Sequence, residues 1–259
     1  DLIVASVAAL SRTDGRRLAR YRPEYFKVVF VDEAHHAVAP SYQRILKHFN
    51  IPCGLPGRQP LLWGCSATVF RTDKKVLGEV FDEVVFHRDP KQMINEGWLC
   101  KPDVLDIRTH VDISQVSIQH GEFQTSKLSN VINIKSRNSL IVKTYLEKAA
   151  STRKTTLVYA ASRAHVLALR NAFCYAGIHT AHITGDMAYQ KRAAVLNSFR
   201  SGKLPVLVNC EIFVEGTDIP RVDCIILARP TRSAGLVQQM IGRGMRTSAE
   251  KKDCLVLDF

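Results

Sequence analysis

Asp32 and Glu33 stand side by side at the end of the apolar run Val28–Val31, with His35 and His36 directly behind them. A buried parallel strand delivers the residues at its carboxyl end into the crevice where open α/β sheets bind ligands. Two carboxylates there suit a magnesium ion and a water. Asp32 can hold a metal-bound water while Glu33 orients and polarises the water that attacks a γ-phosphate, the division of labour that phosphoryl transfer from ATP requires. The pair could instead cap the following helix at its positive end. A metal-dependent hydrolase built on Asp32, Glu33 and His35 is a third reading, although adjacent histidines point apart and H-E-x-x-H spacing is absent.

A second apolar run, 61–65, ends in Ser66 and Thr68, hydroxyls that can bond polar groups at the same crevice or merely form a turn. Far along the chain, Gln239, Gly242, Arg243 and Arg246 recur at i, i+3, i+4 and i+7, one face of a helix. Two guanidiniums on that face make a phosphate clamp, since each planar fork stays charged and grips phosphate oxygens bidentately. Gly242 and Gly244 cost the helix stability and so point to a close approach by a backbone or ligand; the alternative is a solvated basic face.

These residues need a scaffold, and the hydrophobic pattern supplies one. Short continuous apolar runs of the kind buried on both faces of a parallel sheet alternate with helical spacing, such as Tyr42, Ile45, Leu46 and Phe49. Strands are expected near 155–160, 179–183, 205–209, 223–228 and 253–258, and helices near 137–149, 163–176, 188–200 and 234–246, with Gly177 and Gly202 as stops. The expected fold is α/β: a first domain over 1–107, a poorly periodic connector over 108–135 and a second domain over 136–259, both with mostly parallel sheets and a cleft between them.

No run of the 259 residues approaches the ~20 apolar positions of a membrane span. The seven cysteines are odd in number and lack C-x-x-C, which predicts buried free thiols rather than disulfides. The net charge of +12 is uneven: residues 136–259 hold 18 lysines and arginines against nine acids, +9, and 1–135 only +3. A polyanionic partner should therefore lie mainly against the second half.

"VDEAH", "SAT", "FVEGTDIP" and "QMIGRGMR" follow one another in this order and together resemble the helicase motifs of superfamily 2. The resemblance implies two RecA-like domains that use ATP and Mg²⁺. It assigns Asp32, Glu33 and His35 to metal binding and water activation, and Ser66 and Thr68 to coupling hydrolysis with interdomain movement. Gly216 and Asp218 take nucleotide contact, Thr217 nucleic-acid contact, and Gln239, Arg243 and Arg246 the arginine-finger motif. "TLVYAASRAHV" and "HITGDM" are similar to the backbone-gripping segments, with Ser162, Arg163, Thr184 and Gly185 as contacts. "IVASVAALSR" is similar to a strand-contact motif containing Ser6, though Ala8 stands where relatives often carry glutamine. "DEAHHAVAPSYQRIL", "EIFVEGTDIP" and "LARPTRS" look most like the fungal mitochondrial DNA helicases of the increased-recombination-centres group, akin to restriction subunits.

The resemblance also implies what is missing: the phosphate-cradling G-x-x-x-x-G-K-[ST] occurs nowhere in these residues. The expectation is a helicase segment lacking that loop and inactive on its own, from a parent acting as a monomer on nucleic acid, DNA above RNA, in the mitochondrial matrix. A non-catalytic nucleic-acid-binding module remains the alternative.

Overall fold

The computed structural model describes residues 2–12, 14–51, 60–66, 77–119, 121–210 and 218–259, which separate into two units, Asp1–His87 and Arg88–Phe259. In the first unit, α1 (Val7–Leu10), β1 (Val28–Val31), α2 (Pro40–His48) and β2 (Leu61–Gly64) follow in order. β1 and β2 pair in parallel from Val28↔Leu61 to Val31↔Gly64. α2 starts on Pro40, whose fixed φ suits a first turn, and lays Ile45 and Leu46 into a core with Leu18, Val31, Ala37 and Phe49.

β1 is not covered on both faces as the unbroken apolar run implies. Val31 is buried, but Val28, Phe30, Leu61 and Trp63 are exposed on the opposite face. A two-stranded sheet with one helical layer among the described residues covers one side only. Gly64 is required by packing: a Cβ there would lie 2.5 Å from the Phe81 ring and 2.8 Å from the Ala34 Cβ.

The second unit opens with α3 (Pro90–Asn95), β3 (Lys101–Asp106), the antiparallel pair β4 (Ile118–Gln119) and β5 (Glu122–Phe123), and α4 (Thr125–Ile132). There follow α5 (Lys135–Lys148), β6 (Thr156–Tyr159), α6 (Arg163–Tyr175), β7 (Thr180–Ile183), α7 (Tyr189–Arg200) and β8 (Val206–Asn209). Beyond the undescribed 211–217 come β9 (Cys224–Leu227), α8 (Ala234–Met245) and β10 (Asp253–Asp258). Six strands form a parallel sheet in the order β3-β10-β9-β6-β8-β7.

β6, β8 and β9 are buried at every position because both faces are covered. Val158, Val208 and Ile226 pack with α5 and α6 through Ile141, Leu169 and Phe173. Leu157, Tyr159, Leu207 and Ile225 pack with α7 and α8 through Phe199 and Met240.

The division between units falls at 87/88, not at 107. Lys101–Asp106 pairs along its whole length with Asp253–Asp258 and is the edge strand of the second sheet. The stretch expected as a connector holds a hairpin and α4, and buries Val116, Leu128 and Ile132 against Ala161. Of the thiols described, Cys100, Cys224 and Cys254 are buried and free as expected and Cys210 is buried, whereas Cys65 and Cys174 are exposed; Cys53 lies outside the described residues.

The two glycines of α8 differ. A Cβ on Gly244 would sit 2.3 Å from Cys254 Sγ and 2.8 Å from Ile225 Cγ1, whereas one on Gly242 meets nothing within 4 Å. Gly244 thus lets α8 press on the sheet, and no close approach explains Gly242. Gly244→Ala should lower unfolding stability by about 1–3 kcal/mol through overpacking, and Gly242→Ala should raise it by up to about 1 kcal/mol through helix propensity. Urea unfolding of both variants checks the pair.

Candidate active site and nucleic-acid interface

At the carboxyl end of β1 the chain turns sharply through Glu33, held at φ 51°, ψ 49°. This left-handed conformation costs a non-glycine residue on the order of 1–3 kcal/mol and is typical of functional sites. Asp32 Oδ1 accepts from the Glu33 backbone N–H at 2.9 Å and from Cys65 Sγ at 3.3 Å. Burial and then the bond to Asp32 push the Cys65 thiol up, so it stays a donor at neutral pH. Ala34 N–H donates to Cys65 O at 2.8 Å, locking the turn to the end of β2.

His35 is buried, and its Nδ1 lies 2.9 Å from Ser66 Oγ and 3.3 Å from Glu33 Oε2. One imidazole therefore touches both the acid turn and the end of the neighbouring strand. Asp32 and Glu33 head no capped helix: a 3-10 turn, Ala34–His36, follows with no side-chain cap bond. Thr68 lies outside the described residues. Ser6 is exposed and caps α1, accepting from Ala9 N–H at 3.3 Å.

In the second unit the expected residues divide between the two ends of the sheet. Ser162 and Arg163 follow β6, and Thr184 and Gly185 follow β7, all at carboxyl ends. Arg163 lies 3.8 Å from Asp186, and its Nη2 is 3.8 Å from where a Gly185 Cβ would stand, so the two loops meet. Ser162 caps α6 by accepting from His165 N–H at 3.2 Å.

Arg246 lies at the amino ends. Cys100, just before β3, donates its N–H to Met245 O at 2.7 Å, and Leu99 bridges Arg246. α8 ends at Met245, so Arg246 is extended rather than helical and departs from the face shared by Gln239 and Arg243. It instead forms an ion pair with Asp218. Gly216 and Thr217, beside Asp218, lie outside the described residues.

Residues 136–248 match the family described as helicase conserved C-terminal domain, and residues 1–71 match type III restriction enzyme, res subunit. A Saccharomyces cerevisiae protein with the provisional name ATP-dependent helicase IRC3 is 41% identical over all of this chain, which covers 37% of that protein. A Schizosaccharomyces pombe protein, provisionally named mitochondrial ATP-dependent helicase irc3, is 40% identical, again over all of this chain and 42% of its own length. The chain belongs to the superfamily 2 helicases. It spans about two fifths of the length of these curated relatives. A fragment assigned as an HsdR subunit of a type I restriction enzyme from Vibrio vulnificus YJ016 superposes on 94% of this helicase segment and 45% of its own chain, with a TM-score of 0.72 at 17% identity. That likeness shows the fold.

The donor set of the helicase's first unit fits magnesium: one or two carboxylates shared with substrate phosphates is how that ion is commonly held. Among the described residues no group of three or more His, Cys, Asp or Glu forms a metal cluster. Bound there, the ion would neutralise phosphate charge, and Asp32 would hold it.

Sequence patterns missed the buried polar network behind Ser162 in this helicase segment. His165 is fully buried; Ala161 N–H donates to its Nδ1 at 3.2 Å, which places the proton on Nε2, 3.1 Å from Asn138 Oδ1. Arg137 donates to Ala228 O and Phe259 O, both at 2.9 Å, tying the ends of β9 and β10. Nothing in a lone histidine within "SRAHV" signals this role.

Burial, and then Arg137, push the His165 pKa down to about 3. The unfolded ring takes its proton near pH 6.5, so the stabilisation is complete above that pH and is lost as pH falls toward 3. Going from pH 7 to 5 should cost this unit about 2 kcal/mol. Urea midpoints should show it, with a flatter pH response in His165→Gln.

Proposed function

We propose that this chain is the part of an ATP-dependent DNA helicase or translocase that carries the water-activating acids, the arginine motif and part of the grip on the phosphate backbone. The observation that carries the reading is the turn at Asp32 and Glu33, fixed at a strand end and tied through His35 to Ser66 on the next strand. Glu33 orients the attacking water, and Asp32 holds Mg²⁺ on ATP. Ser66, with Thr68, passes the state of the phosphates to the neighbouring strand. Gly216 and Asp218 contact the nucleotide, and Gln239, Arg243 and Arg246 form the arginine motif, whose guanidiniums stabilise transition-state charge.

The grip comes from Ser162, Arg163, Thr184, Gly185 and Thr217, with Ser6 in the first unit. These contacts read phosphates and carry little sequence information. The +9 of residues 136–259 favours a polyanion, and affinity should fall steeply with salt as counterions are released. Among the described residues no helix is long and apolar enough to cross a membrane. Mitochondria, named for the S. pombe relative, are the proposed compartment, and a monomer the proposed working state.

The test is ATP turnover by the full-length protein with single-stranded, duplex and branched DNA and with RNA. Stimulation by DNA above RNA supports the reading, and turnover indifferent to any nucleic acid contradicts it.

A further inference from the structure

We propose that residues 111–119 and 121–133 are a brace that positions the phosphate-contacting loop 160–163 against the neighbouring loop 228–233, with Glu122 and Ser129 as its positioning residues. The proposal rests on the reading of Ser162 and Arg163 as phosphate contacts.

β6 and β9 are neighbours in the sheet, so the loops at their carboxyl ends, 160–163 and 228–233, lie side by side. The same short segment touches both. The Ser129 hydroxyl on α4 shares a hydrogen bond with the Ser162 hydroxyl at 2.6 Å. Leu128 and Ile132 of α4 are fully buried and, with Val116, pack on Ala161, the residue before Ser162. On the other side Glu122, in the hairpin, accepts from the Thr231 hydroxyl and from the Arg232 backbone N–H at 3.1 Å. Ser117 Oγ donates to Gln124 Oε1 at 2.9 Å across the hairpin, holding its base closed.

Glu122 is the informative residue because its charge has the wrong sign for its place. A carboxylate beside a loop read as gripping phosphates should repel them, yet it is fixed by donors from both the side chain and the backbone of the adjoining 228–233 loop. Burial alone would raise its carboxyl, but the bonds from Thr231, Phe123 and Arg232 hold it below the ordinary range, so it is a carboxylate at neutral pH. Its use is conformational: it sets the 228–233 loop, as Ser129 sets 160–163, and one rigid segment fixes the spacing between them.

The charge rule and the brace predict opposite signs. Glu122→Gln removes a negative charge, so electrostatics alone tightens DNA binding. The brace predicts that the full-length protein binds a short DNA duplex about fivefold more weakly, with the slope of affinity against salt unchanged because no phosphate contact is lost. Half-saturation of the ATPase by DNA should rise by the same factor, with kcat at saturating DNA within about twofold of wild type. Ser129→Ala, a smaller change that keeps the fold, should weaken binding in the same direction. Arg163→Ala serves as the reference, weakening binding and lowering the salt slope by about one. Unchanged or tighter binding by both Glu122→Gln and Ser129→Ala, with Arg163→Ala weakened, overturns the brace alone. No effect of Arg163→Ala overturns the reading of the loops on which the brace depends.

Discussion

Arg246→Ala in the full-length protein should lower ATP turnover by about 10³-fold while leaving DNA binding without nucleotide unchanged. An arginine that meets developing charge on the transferred phosphoryl group acts only in the transition state, and its loss is worth 10³ or more. Arg246 leaves the end of α8 in an extended conformation and pairs with Asp218 across 28 residues of sequence. With its side chain 38% exposed, it can exchange that carboxylate for a phosphate at little cost, since an exposed ion pair contributes about 0–1 kcal/mol. Arg246→Lys should recover little, because a point charge lacks the planar fork. Steady-state turnover and fluorescence titration with DNA check both parts. Weakened DNA binding at unchanged turnover would assign Arg246 to the basic tract instead.

Glu33→Gln should leave ATP binding near the wild-type level and lower turnover by about 10²-fold or more, the contribution of a positioned base. Glutamine keeps the size and reach of the side chain, so the left-handed turn and the tie between His35 and Ser66 should survive. The loss would then report on proton removal from water. Binding of a labelled ATP analogue, measured beside turnover, separates the two.

The place of the carboxylates was legible because strand ends are. Val28–Val31 is apolar and Asp32–Glu33 is not, so the carboxylates had to stand where the strand leaves the sheet. In the second unit, β6, β8, β9 and β10 announced themselves as continuous apolar runs, because covering both faces of a parallel sheet demands them. What stayed hidden depends on partners distant in sequence. Lys101–Asp106 reads "KPDVLD", with a proline and two aspartates, and becomes a strand only because Asp253–Asp258 is there to pair with it. An edge strand needs no apolar face on its open side, so its composition gave no signal. The hairpin at Glu122 is fixed by Thr231 and Arg232, more than 100 residues away. The helical spacing of Gln239 and Arg243 ran on into Arg246, but pairing with Leu99 ends the helix one residue sooner.

DNA-driven turnover should pass through Glu33. The measurement is phosphate release by the full-length protein, in a single turnover with ATP pre-bound, with and without saturating DNA, for wild type and Glu33→Gln side by side. DNA should accelerate release by the wild type at least tenfold and leave Glu33→Gln, with ATP still bound, about 10²-fold slower under the same conditions. Equal DNA-accelerated release from the two proteins would contradict the assignment of Asp32 and Glu33 to the chemistry.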